Sequence, residues 1–265
     1  MHRAREYARM LRVFHRDSVR AEIAYRADFA AGVVLSLFWH TWAVLGLAVF
    51  YQFAEDILGW TFPEAIVVLG MFLLMNGFRQ LIVTPNLQQM SDHIRLGTLD
   101  YLLLKPVSAQ FMVTLRRFNP ILWVDCVIGL ALALAGAILH DGVPGPADLL
   151  LFAVTLAAAL IIVYALGVLL VAVVIRTVQA EGLDILVRGA FEVGRFPVDF
   201  YGGVTAWIFT FFVPIALITV FPARALLGDL PIAAAGASAA GAALALALAT
   251  LVWRAALRSY EGASS

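Results

Sequence analysis

The run Leu149-Leu-Leu-Phe-Ala-Val-Thr-Leu-Ala-Ala-Ala-Leu-Ile-Ile-Val-Tyr-Ala-Leu-Gly-Val-Leu-Leu-Val-Ala-Val-Val-Ile175 carries no charged side chain, and Thr155 and Tyr164 are its only polar ones. About 20 mostly apolar helical residues cross the hydrocarbon core of a bilayer. Backbone groups in lipid find no water, so a spanning segment is a helix or a strand of a closed barrel. The run has none of the apolar–polar alternation of a barrel strand. It therefore reads as a membrane-spanning helix.

Working outward, five more runs have the same character: Phe29–Tyr51, Pro63–Val83, Ile121–Leu139, Trp207–Phe221 and Ile232–Trp253. The expectation is an all-α integral membrane protein, one domain over residues 1–265 with six transmembrane helices. Composition agrees. Of 265 residues, 63% are hydrophobic and 14% charged, whereas a soluble domain carries about 25% charged residues to cover its surface. The first 28 residues hold too many arginines and too little apolar core for a cleavable signal. Cys126 is the single cysteine and lies in an apolar run, so it reads as a small buried side chain without a disulfide partner.

The positive charges are not spread evenly. Arg3, Arg5, Arg9, Arg12, Arg16, Arg20 and Arg26 precede the first run; Arg79, Arg95, Lys105, Arg116 and Arg117 border the second and third; Arg176, Arg188 and Arg195 separate the fourth and fifth; Arg254 and Arg258 follow the sixth. The alternate loops hold Glu55, Asp56, Asp141, Asp148 and Asp229, with Arg224 their only cation. Lys and Arg mark cytoplasmic loops, so both termini are expected in the cytoplasm. Before the first run, Arg5, Arg9, Arg12, Arg16 and Arg20 share one helical face and Tyr7, Met10, Leu11, Phe14, Ala21 and Tyr25 the other. Residues 1–28 thus read as an amphipathic helix on the membrane surface, an elbow leading into the first span, or as a basic leader that only sets topology.

The segment after the second run is the most specific: Thr84-Pro-Asn-Leu-Gln-Gln-Met-Ser-Asp-His-Ile-Arg-Leu-Gly97-Thr-Leu-Asp100-Tyr-Leu-Leu-Leu-Lys105-Pro106-Val107. Pro85 is expected to end the incoming helix, Gly97 to adopt a left-handed helix C-terminus and Pro106 to stop a second short helix. Ile94, Leu96, Leu99, Leu102 and Leu103 supply apolar contacts, either to a partner or to the chain's own helix ends.

Within this segment, Ile94-Arg95-Leu96-Gly97-Thr98-Leu99-Asp100 followed by Leu103-Leu104-Lys105-Pro106 resembles the signature of ATP-binding-cassette (ABC) permeases of the type-2 exporter class. Arg195-Phe196-Pro197, Pro214, Pro222 and the tail Leu257–Ser265 are similar to the same family. The resemblance implies that the loop 84–117 forms short cytoplasmic coupling helices. Ile94, Arg95, Gly97, Leu99, Asp100, Leu103, Lys105 and Pro106 would then engage a separate cytosolic ABC ATPase. It also implies a second permease copy or paralogue, residence in a bacterial inner membrane, and ATP and magnesium bound only by the partner ATPase. The loop 176–203 would be a second cytoplasmic contact or a solvated connector. The chain itself has no Gly-rich phosphate loop, since its one lysine, Lys105, precedes a proline; no ATPase activity, cofactor, metal site or nucleic-acid partner is expected.

Of the polar side chains inside the runs, three are candidates for a site. Asp125 is expected either to meet substrate or protons, or to pair with Arg116, Arg117 or Arg79; His40 and Asn76 are candidates for interhelical hydrogen bonds or the same polar site. Small residues Gly236, Ser238, Ala240 and Gly241 offer a close-packing face in the last run. The functional expectation is a permease exporting an amphipathic, lipid-like or drug-like molecule. A gradient-driven secondary transporter or channel is the alternative, and it would show intramembrane acids along an ion path.

Overall fold

The computed structural model describes residues 2–23, 26–211 and 214–260. Helices α1 (His2–Ile23) and α2 (Arg26–Phe50) lead to a short antiparallel hairpin, β1 (Asp56–Ile57) and β2 (Trp60–Thr61). Next come α3 (Phe62–Phe78), α4 (Thr84–Arg95), α5 (Leu99–Leu103), α6 (Ala109–Thr114), α7 (Trp123–Asp141), α8 (Pro146–Thr177) and α9 (Ala180–Glu192). The chain closes with α10 (Gly203–Phe211), α11 (Phe221–Leu226) and α12 (Ile232–Arg258). Among the described residues, five helices are long and apolar enough to cross a membrane: Ala27–Phe50, Phe62–Arg95, Pro120–Asp141, Pro146–Thr177 and Ile232–Arg258. The protein is an all-α membrane protein.

The bundle has two distinct ends. Tyr7 accepts from the Ser108 N–H, and Gln110 donates to Thr250 near the end of α12. These contacts gather α1, α5, α6 and the end of α12 at a basic end. The β-hairpin, the start of α3 and the start of α8 lie at the opposite, hairpin end. The arginine face of α1 is exposed, and Tyr7, Met10, Leu11 and Phe14 turn inward. Tyr7 meets the Phe111 ring edge-on with Phe14 tilted beside it, and His15 lies against Phe118 and Trp123. Ala21, expected on the apolar face, is exposed; Tyr25, the side chains of Arg3, Arg26 and Trp207, and the tail Glu261–Ser265 lie outside what the structure describes.

Pro85 does not end the second apolar helix, contrary to expectation. Helix runs from Phe62 to Arg95 without a break, through a wider π turn at Arg79–Val83 in which the Thr84 N–H bonds the Arg79 carbonyl. A proline inside a helix has no N–H for the carbonyl four residues earlier and crowds it with its ring. Here that carbonyl is Leu81, and it accepts instead from the Asn119 N–H at 2.9 Å. The same arrangement recurs at Ala216–Val220, where a π turn precedes Phe221-Pro222.

The fifth apolar run differs most from expectation. Trp207–Phe221 is not one continuous helix: α10 ends at Phe211, and a second helical segment begins near Ile215 after Pro214. The stretch expected to be a cytoplasmic loop, 176–203, is instead largely helical and packed along α3. Asp184 is level with Arg79, Arg195 lies over the Phe72 ring, and Asp199 accepts from Trp60 Nε1 at the hairpin end. α10 leaves that end. Ile215 and Thr219 then meet Gly194 and Phe72 at mid-depth, and Arg224 returns to Asp199 and Trp60. The described stretch 215–226 therefore runs from mid-depth back to the hairpin end. Five charged side chains in 181–195 hid the one helix from a hydropathy reading, and the twelve hydrophobic residues of Trp207–Phe221 disguised the other as a span.

The tightest helix contact is between α3 and α7, where glycines face each other. A Cβ on Gly70 would sit 2.6 Å from the Gly129 carbonyl oxygen, and one on Gly129 would be 2.7 Å from the Gly70 oxygen. The small-residue face anticipated in α12 is looser. Ser238 is buried, but Gly236 has open space around it and Ala240 is exposed. Gly129→Ala is therefore expected to force α3 and α7 apart and cost about 1–3 kcal/mol. Gly236→Ala should leave stability unchanged or raise it slightly. Thermal denaturation of the detergent-solubilised variants, followed by loss of monodisperse protein, separates the two.

Candidate functional site

His40, Asn76 and Asp125, which lie far apart in the sequence, line one recess of about 370 Å³. Its other walls are Trp39, Trp42 and Ala43 from α2, Phe72 and Leu73 from α3, and Glu192 and Arg195 at the end of α9. Asp125 occupies the first turn of α7, where backbone N–H groups favour a negative charge. It accepts from the Ser36 hydroxyl, and His40 Nε2 lies 3.8 Å from its Oδ1. Arg116 and Arg117, expected as partners, make no ion pair with it among the described residues. Arg79 is committed elsewhere.

That commitment is a buried network. Arg79 donates to Asp184 at 2.8 Å, to the Thr84 hydroxyl at 3.0 Å and to Asn76 Oδ1 at 3.3 Å. Its guanidinium also lies over the Phe191 ring, and Arg188 reaches the second oxygen of Asp184. Glu192 and Arg195 pair with each other at 3.0 Å one turn further along. Sequence reading missed Glu192 and Arg195 as lining residues because 176–203 looked like a solvated connector. Their spacing from Asp184 and Arg188, repeating on one helical face, was the available signal.

The basic end holds the second candidate site. α4 ends in a Schellman turn: Gly97 has φ +65°, its N–H bonds the Ile94 carbonyl, and the Thr98 N–H bonds that of His93. Leu99 and Leu102 are buried, while Ile94 and Leu103 pack against the core. The apolar side chains left in the open are Leu96, Tyr101 and Leu104, at 74%, 72% and 82% exposure. Arg95, Lys105 and Pro106 are exposed beside them, and Asp100 is half-buried. Burial, and then the Asp100 carboxylate it hydrogen-bonds, push the Tyr260 hydroxyl up from its ordinary pKa, a contact that ties α5 to the end of the chain. The loop returning from α6 is fixed by Asn86, which donates to the Ile82 and Arg117 carbonyls and accepts from the Arg116 and Arg117 N–H groups. A polar cavity of about 560 Å³ separates α4 from the start of α9, lined by Ser91, Asp92, Arg95 and Glu181.

At the hairpin end, ligand atoms of Glu64, His140 and Asp229 lie within 4.8 Å of one another. Glu64 Oε2 is taken by the Thr61 N–H and hydroxyl, and its other oxygen is 3.9 Å from His140. The arrangement is that of a capping carboxylate paired with a histidine.

A family model described as ABC-2 family transporter protein matches residues 37–264. The chain belongs to that family. It is an ABC transporter permease, a multi-pass membrane component without ATPase motifs, and the matched region includes both candidate sites. No curated protein matches it.

For this ABC-2 permease the buried pair makes a sharp expectation. Asp184→Ala strands the Arg79 charge and should cost about 3–5 kcal/mol. The double variant Arg79→Met/Asp184→Leu, which removes both charges and keeps the volume, should recover most of that loss. Melting temperatures of the purified variants in one detergent decide the matter; equal losses would mean that the pair does not hold α9 in place.

Proposed function

We propose that this ABC-2 permease is the membrane half of an exporter driven by a separate cytosolic ABC ATPase. The observation that carries the reading is the outward-facing triad Leu96, Tyr101 and Leu104 on short helices at the basic end. Large apolar side chains grouped at a water-facing end need a partner, and the resemblance of 94–106 to coupling segments names one. In this reading the basic end faces the cytoplasm, because Lys and Arg mark cytoplasmic loops, and both termini lie there. The membrane is a bacterial inner membrane. α1 is an elbow helix holding its arginine face toward anionic headgroups.

Six crossings are then made by α2, α3–α4, α7, α8, α9 with 193–200, and α12, while 203–226 dips in from the far side. α4, α5 and α6 form the coupling element. ATP and magnesium belong to the partner. ATP-driven closure of two ATPase subunits pulls on two permeases, identical or paralogous, and switches access to the recess at Asp125. The cargo is an amphipathic, lipid-like or drug-like molecule. The recess suits such cargo, because its aromatic walls and few polar groups lie within an otherwise apolar bundle.

The triad makes the test specific. Leu104→Asp and Tyr101→Asp should release a phosphate-loop ATPase that co-purifies with the tagged wild-type permease, and leave the melting temperature of the permease unchanged. Leu99→Asp, at a fully buried position, should lower yield and stability instead. Recovery of the ATPase by both exposed-site variants at wild-type levels would remove the coupling assignment.

A further inference from the structure

We propose that the recess between α2, α3, α7 and the end of α9 binds amphipathic organic cations, with Asp125 as the residue that selects their charge. The biological sense of this rests on the permease reading above, while its chemistry rests on the charges in the recess.

The arginines near the recess are already paired. Glu192 and Arg195 satisfy each other, and the Arg195 guanidinium also lies 5.6 Å from the Phe72 ring centroid. Arg79, the other cation nearby, is held by Asp184. Asp125 has no arginine or lysine partner among the described residues. Its bond from Ser36 brings no charge. His40 Nδ1 lies against the Ser36 carbonyl, which can only accept, so Nδ1 carries the proton. The nitrogen turned toward Asp125 is then Nε2, at 3.8 Å and outside hydrogen-bond distance. Asp125 also sits in the first turn of α7. A carboxyl group with no arginine or lysine bonded to it, inside the apolar part of a membrane protein, marks a ligand or ion site.

The rest of the recess says which ligand. Trp39 and Trp42 are exposed on the open side, with Phe38 edge-on to both at 5.6 and 6.1 Å. Tryptophan faces attract cations, more strongly where water is excluded. The volume of about 370 Å³ falls at the lower end of small-molecule sites. An anion would meet Asp125 and Glu192 with no free guanidinium to receive it. A neutral lipid would bring Asp125 no cation. A single positive charge on ammonium nitrogen or phosphonium phosphorus, carrying aromatic or alkyl arms, satisfies the carboxylate and the indole rings together.

The test uses two probes of nearly the same size and opposite charge, tetraphenylphosphonium and tetraphenylborate. Each is titrated against the full chain in phosphatidylcholine nanodiscs, with empty nanodiscs to subtract partition into lipid. Saturable binding is expected for the phosphonium and only lipid partition for the borate. Asp125→Asn, which keeps the shape and the bond from Ser36, should weaken phosphonium binding on the order of tenfold, and Trp39→Leu should weaken it with Asp125 intact. Should Asp125→Asn not fold, Trp39→Leu and Trp42→Leu carry the same comparison from exposed positions. Equal saturable binding of both ions overturns the proposal. So does unchanged phosphonium affinity in the Asp125 or Trp variants. Phosphonium binding without recovery of any ATPase would strike the exporter reading alone. An ATPase-coupled permease indifferent to the sign of the probe would strike this one alone.

Discussion

A guanidinium with only 1% of its side chain exposed cannot stay inside an apolar bundle without a counter-charge, and most of the architecture depends on how Arg79 obtains one. Asp184 supplies it from α9, and Thr84 and Asn76 take further N–H groups. Because Asp184 is fixed against Arg79, α9 lies against α4 and the turn that follows it, Val193–Arg195, packs on α3. That course brings Glu192 and Arg195 to the wall of the recess and Gly194 to the place where Ile215 and Thr219 pack. An ion pair of this kind contributes little net stability compared with a well-packed apolar pair, because desolvation offsets most of the attraction. Its effect lies in register. Only one placement of α9 leaves both charges compensated.

The same turn of helix solves a second problem. Pro85 would normally cost a backbone hydrogen bond and a steric clash. The π turn at Arg79–Val83 sits immediately before it, and the orphaned Leu81 carbonyl is repaid by Asn119 from the far side of the loop. π turns inserted in α-helices recur at functional sites, and two π–proline units occur here, the second at Ala216–Pro222. Both lie where a helix must carry on past a proline while packing on α8.

Much of this was legible from the residues, and the parts that were not share a cause. The run 149–175 is apolar on every face and fixed the class of protein without help. Gly97 announced its left-handed turn because no other residue type adopts φ +65° at so little cost. What escaped was anything decided by a partner distant in sequence. Pro85 looked like a terminator because Asn119 is invisible from its neighbours. Asp184, Glu192 and Arg195 made a helix look like a loop because hydropathy counts charges without knowing which are paired. Leu99 and Leu96 are alike in composition, and only the third dimension buries one and exposes the other. Asp125 was expected to meet substrate or protons, or to pair with Arg116, Arg117 or Arg79, and the last of these is held by Asp184, a partner remote in sequence.

The two candidate sites are joined by one piece of helix. Leu96, Tyr101 and Leu104 sit on a platform held to α4 by the buried Leu99 and Leu102 and by the four hydrogen bonds of Asn86. α4 is continuous with the π turn at Arg79–Val83. Asn76 lies one turn beyond, bonded to Arg79 on one side and lining the recess on the other. Asn76 and Asp184 thus connect the π turn at Arg79–Val83 to the part of the recess wall that Glu192 and Arg195 form. The link runs through packed side chains and paired charges at each step, and it ends beside Asp125.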